Sequence, residues 1–118
     1  MYSTADLRQE AHEALEKVWF VQSLEEVERT DLTIFLRLNI RSDLFVQAFY
    51  GAASDMLYLA LIESGRRIFG LDRESGQWHL HPFSAPGEHK PLAEGLGPKP
   101  LLAFLAKVED LLVQHDLL

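Results

Sequence analysis

The sequence predicts an α+β domain: an antiparallel meander of five or six strands with an N-terminal and a C-terminal helix packed on the sheet. Three observations predict it. Leu32, Ile34, Leu36, Leu38 and Ile40 alternate with Thr33, Phe35, Arg37, Asn39 and Arg41, the period-two pattern of a strand with one buried face. The apolar runs that follow are separated by only a few turn-forming residues, which makes successive strands antiparallel neighbours. At both ends of the chain the apolar residues recur at intervals of three and four, as on one side of a helix.

Taken in order, Ser3 and Asp6 are spaced as an N-terminal cap. Leu7, Ala11, Ala14, Leu15 and Val18 then form an apolar stripe, predicting a helix over about 4–17. Strands are expected from about residue 19 to 81, the first of them within Trp19–Glu28. Turns fall at Ser42-Asp43, Gly51–Asp55, Glu63–Arg66 and Arg73–Gly76. From Pro82 to Pro100 the prolines and glycines predict an irregular loop. A second helix is expected over 101–115, with Leu101, Phe104, Leu105, Val108, Leu111 and Leu112 as its apolar stripe. Met56–Ile62 is apolar on both faces, and Phe35, Phe45 and Phe49 lie opposite their strands' other apolar residues. Either a homodimer or protein partner covers that second face, or the two helices cover opposite faces.

A chain of 118 residues, 47% apolar and 25% charged, fits one folded domain and excludes disorder throughout. The absence of cysteine excludes disulfide frameworks, thiol nucleophiles and cysteine-ligated zinc. No signal peptide is readable, and the longest purely apolar stretch falls far short of the ~20 residues of a membrane span, so a cytoplasmic protein without membrane association is expected. The net charge of −7 resides at the two ends of the chain. That balance disfavours nonspecific nucleic-acid binding but leaves room for a local site.

One cluster has the residue types of a reaction centre: Trp78-His79-Leu80-His81-Pro82-Phe83, then Pro86 and His89-Lys90. Strand pleat puts His79 and His81 on one face and Trp78 and Leu80 on the other. His89 follows across a proline-bent loop, with Arg66, Arg67, Asp72 and Arg73 on the preceding strand and turns. Three readings stay open. Histidines beside cations can cleave RNA by acid–base catalysis. His79, His81 and His89 can alternatively hold zinc, with water as fourth ligand. They can also be ordinary histidines bonded to backbone, in which case no cofactor is involved.

From Arg67 to Lys90 the chain resembles the TumE-type toxins of bacterial and archaeal toxin–antitoxin pairs. Arg67-Ile68-Phe69-Gly70-Leu71-Asp72 matches a strand ending in aspartate, His79 and His81-Pro82 the first histidine group, and Phe83, Pro86 and His89-Lys90 the second. Arg73 stands where that family usually has asparagine, and single histidines replace adjacent pairs. The resemblance implies a toxin-related protein acting on RNA or translation and held by an antitoxin. His79, His81 and His89 would then carry acid–base work, Asp72 would orient a histidine, and Arg67, Arg73 and Lys90 would bind phosphate. A rival expectation is a non-catalytic, acidic, dimeric protein-binding module of adaptor or chaperone type.

Overall fold

The computed structural model describes residues 2–118. Helix α1 (Thr4–Lys17) leads into seven strands, β1 (Ser23–Arg29), β2 (Thr33–Arg41), β3 (Leu44–Gly51), β4 (Met56–Glu63), β5 (Arg66–Glu74), β6 (Gln77–His81) and β7 (Lys90–Leu92), and α2 (Pro100–Gln114) closes the chain. The strands form one sheet in sequence order, every neighbour antiparallel. The meander and the two helices are as the sequence predicts.

Two boundaries differ. Residues 19–22 are not strand: Trp19 and Phe20 make a turn, and Phe20 and Val21 plug the core as the chain leaves α1. The proline- and glycine-rich segment is not wholly irregular, because Lys90–Leu92 pairs with Trp78–Leu80 as a seventh, edge strand. An edge strand tolerates Pro91, whose nitrogen cannot donate to a ladder.

The hairpins owe their tightness to residue choice. Ser64-Gly65 and Ser75-Gly76 are two-residue turns in which both residues have positive φ, the conformation that matches strand twist. Both helices lie on the same face of the sheet, which rules out the arrangement with helices on opposite faces. Leu7, Ala11 and Ala14 of α1 and Leu101, Phe104, Leu105, Val108 and Leu112 of α2 join one core with Ile34, Leu36, Leu38, Val46, Leu59, Leu61 and Leu71. Phe104 stacks on Phe69 with ring centroids 5.4 Å apart. Each fully buried leucine here contributes roughly 1.5–3 kcal/mol.

The two helices are tied by a carboxylate. The α2 N-cap residue, Lys99, makes no side-chain capping bond among the described residues. Instead the Glu10 carboxylate on α1 accepts from the Leu101 and Leu102 amides at 3.0 and 3.3 Å, and from the Tyr2 hydroxyl. Among the described residues, the opposite face of the sheet carries no helix. Phe35, Phe45, Phe49, Tyr58 and Ile62 line it, half-buried, with the Arg37 guanidinium 4.2 Å over Phe45. No helix among the described residues is long and apolar enough to cross a membrane.

Candidate functional site

The histidine cluster sits on this helix-free face, at its β5–β7 end, and register explains why. Asp72 pairs with His79, and Gly70 with His81. The side chains of 70 and 72 on β5 and of 79 and 81 on β6 therefore point the same way. Trp78 and Leu80 take the other side and pack against the core. The residues after His81 turn back at Pro82–Ala85 and Ala85–Glu88, and bring His89 over the pair.

Three imidazoles converge on one carboxylate. His81 Nε2 is 3.0 Å from Asp72 Oδ2, His79 Nδ1 is 3.5 Å from Oδ1, and His89 Nε2 is 4.0 Å from Oδ1. The His89 ring stacks on His79 at 4.1 Å and lies 5.0 Å from His81. Asp72 and His81 are buried, at 7% and 8% exposure, whereas the His89 side chain is 54% exposed. The cluster thus has a buried floor and an open top.

The roles of the rings differ. His81 Nδ1 lies 2.9 Å from the Glu88 carbonyl oxygen. A carbonyl only accepts, so this nitrogen carries the hydrogen and donates it. With Nε2 against Asp72, His81 is held at both nitrogens. His79 and His89 are less constrained. His79 Nδ1 and Asp72 Oδ1 are both buried without a hydrogen-bond partner among the described residues. Buried polar atoms of that kind are uncommon and mark places where a proton, water or ion belongs.

Arg67 reaches this face through a bulge. Strict alternation from Phe69 and Leu71 would aim it at the core, but the β4–β5 register shifts so that Leu61 pairs with Phe69 and Ile62 with Arg67. The extra residue, Ile68, turns Arg67 to the side of Gly70 and Asp72. Its stem passes over Gly70, where a Cβ would come 3.2 Å from Arg67 Cδ and 3.6 Å from His81 Cβ. Its Nη2 donates to the Pro86 carbonyl at 3.2 Å.

Two of the expected phosphate-binding residues lie elsewhere. Arg73 pairs across the strand with Trp78 and so faces the other side, where it bonds Asp55 at 2.9 Å and lies over the Trp78 ring. Lys90, opposite Leu80, likewise faces away and pairs with Glu88. Neither joins the cluster. His115, at the end of α2, stacks on Phe83 at 4.1 Å, remote from the other rings.

Asp72, His81 and His89 each offer a donor atom within 4.8 Å of the other two. His79, the third histidine of the set anticipated from sequence, lies alongside with its ring stacked on His89. A separate open groove of about 510 Å³ lies between α1 and residues 97–100. Its lining groups Glu10 and Arg73 are engaged in capping and ion pairing, so the histidine cluster is the better site candidate. No family model, curated protein or solved structure matches the chain.

Proposed function

We propose that this protein is a TumE-like, toxin-related ribonuclease of the cytoplasm, with His79 and His89 as its acid–base pair. One observation carries the reading: two lightly tethered imidazoles, stacked at 4.1 Å, stand above a buried carboxylate on the face that Arg67 shares. In the proposed reaction one ring removes the 2′-hydroxyl proton of RNA while O2′ bonds to the adjacent phosphorus. The other ring protonates O5′ as the P–O5′ bond breaks, leaving a 2′,3′-cyclic phosphate and a 5′-hydroxyl. Arg67 balances the charge that gathers on the phosphoryl oxygens. His81 and Asp72 are positioning residues, since both His81 nitrogens are already committed.

The test is cleavage of single-stranded RNA by the purified protein and its His79→Ala and His89→Ala variants. Each substitution is expected to slow cleavage roughly 10²–10⁴-fold with the circular dichroism spectrum unchanged. Growth arrest on expression should be relieved in parallel. Equal cleavage by wild type and both variants, or none by any, removes the reading.

A second reading draws on the helix-free face. Phe35, Phe49 and Tyr58 form a contiguous aromatic surface there, with centroids 6.5 and 6.0 Å apart. That surface supports a protein-binding module, covered by a second copy of the chain or by an antitoxin-like partner. A partner retained when His79, His81 and His89 are all alanine would favour this reading over catalysis.

A further inference from the structure

We propose that Asp72, His81 and His89 form a binding site for a single divalent transition-metal ion of the zinc class, with water completing its coordination. The argument begins with an acceptor clash. His81 Nδ1 carries its hydrogen because it faces the Glu88 carbonyl at 2.9 Å. In the neutral ring, Nε2 then presents a lone pair to Asp72 Oδ2 at 3.0 Å. Two acceptors at that distance call for a positive centre at the contact, either a proton or a metal ion.

Three further features favour a metal ion. Asp72 is 7% exposed, and its Oδ1 has no hydrogen-bond partner among the described residues, which leaves the carboxylate ready to ligate. A ring held by an Nδ1–H bond to a backbone carbonyl is the arrangement that fixes the tautomer and orientation of a metal-ligating histidine. The donor atoms of Asp72, His81 and His89 lie within 4.8 Å of one another. Bonds of about 2.0–2.2 Å to a shared tetrahedral ion put ligand atoms roughly 3.4 Å apart, so the most distant donors would close by up to about 1.4 Å. The half-exposed His89 ring can supply that movement. Two imidazoles with one carboxylate suit zinc and its neighbours rather than magnesium or calcium, which prefer oxygen.

Metal binding follows from this geometry alone. Its consequence also requires the proposed RNA chemistry: an ion that takes the Nε2 lone pair of His89 would suppress acid–base cleavage, so the site would act as an inhibitory metal switch.

Zinc(II) titrated calorimetrically into chelator-treated protein should bind one ion per chain. His89→Ala, which removes a half-exposed side chain and leaves the core intact, should weaken binding by at least ~10-fold. Cobalt(II) substituted at the site should show visible absorption that is lost in the same variant. The proposal is overturned by absence of saturable one-to-one binding, or by binding that His89→Ala leaves unchanged. Protein that binds zinc but never cleaves RNA would refute the ribonuclease reading and leave the metal site standing. Cleavage without zinc binding would do the reverse.

Discussion

Glu10 shows how one buried carboxylate can hold two helices together. Its Oε1 accepts from both the Leu101 and the Leu102 amides that the start of α2 leaves open. Removing the acceptor by Glu10→Ala should cost about 1–3 kcal/mol in urea unfolding. Burial pushes the Glu10 carboxyl above its ordinary value of 4.5, because the charged form is desolvated. The sign follows from linkage: a carboxyl whose folded pKa is raised favours the folded state most below its unfolded value. That contribution is lost as pH rises through the folded value. Glu10→Gln keeps an acceptor without the charge, so wild type should lose stability relative to this variant as pH rises from about 4.5 through the raised folded value. Paired thermal melts across that range test it; a gap that widens the other way would refute it. The same scale shows what was legible in the sequence. Pleat parity places His79 and His81 together, and the β5–β6 register adds Asp72, which pairs with His79. Parity also excludes Arg73, the neighbour of Asp72, and Lys90 faces away only through the β6–β7 pairing that the sequence does not announce.

At the scale of elements, the meander was readable because β2 alternates strictly and the Ser64-Gly65 and Ser75-Gly76 turns bound β5 on both sides. Two features were not. The Ile68 bulge adds a residue to a strand without leaving any local signature in Arg67–Leu71, yet it decides on which face Arg67 lies. Strand β7 is equally hidden, because three residues containing a proline carry no period; only the edge offered by β6 makes them a strand. The segment after β7 is pinned in turn by Gly95. A Cβ there would come 2.4 Å from Trp78 Nε1 and 2.9 Å from its Cδ1, so the indole must move if any side chain is added. Trp78 packs on the core and lies under Arg73. Gly95→Ala should therefore destabilise the fold by about 1–3 kcal/mol and weaken the near-ultraviolet dichroism of the tryptophans. Unchanged unfolding and unchanged dichroism would show that the segment yields freely.

For the whole molecule, charge limits how RNA can be held. The chain carries −7, and eight of its eleven lysines and arginines pair with carboxylates: Arg8, Lys17, Arg29, Arg37, Arg41, Arg73, Lys90 and Lys99. Among the described residues only Arg66, Arg67 and Lys107 make no such pair. A basic track of the kind that guides nucleic acid over most RNA-binding domains is thus missing. On the proposed reading, an RNA strand would be held by Arg67, by at most one further unpaired cation, and by stacking on the open rings. Single-stranded nucleic acid releases about 0.7 counterion per phosphate neutralised. Two contacts therefore predict a log–log dependence of affinity on salt with slope near −1.4. Fluorescence anisotropy with a short labelled RNA, repeated over a range of sodium chloride concentrations, measures that slope directly. A shallow line that flattens further in Arg67→Ala would fit a strand engaged only at the histidine end of the sheet. A slope beyond about −4 would require more phosphate contacts than this surface has free cations to make, and RNA would then have to lie on some other part of the molecule.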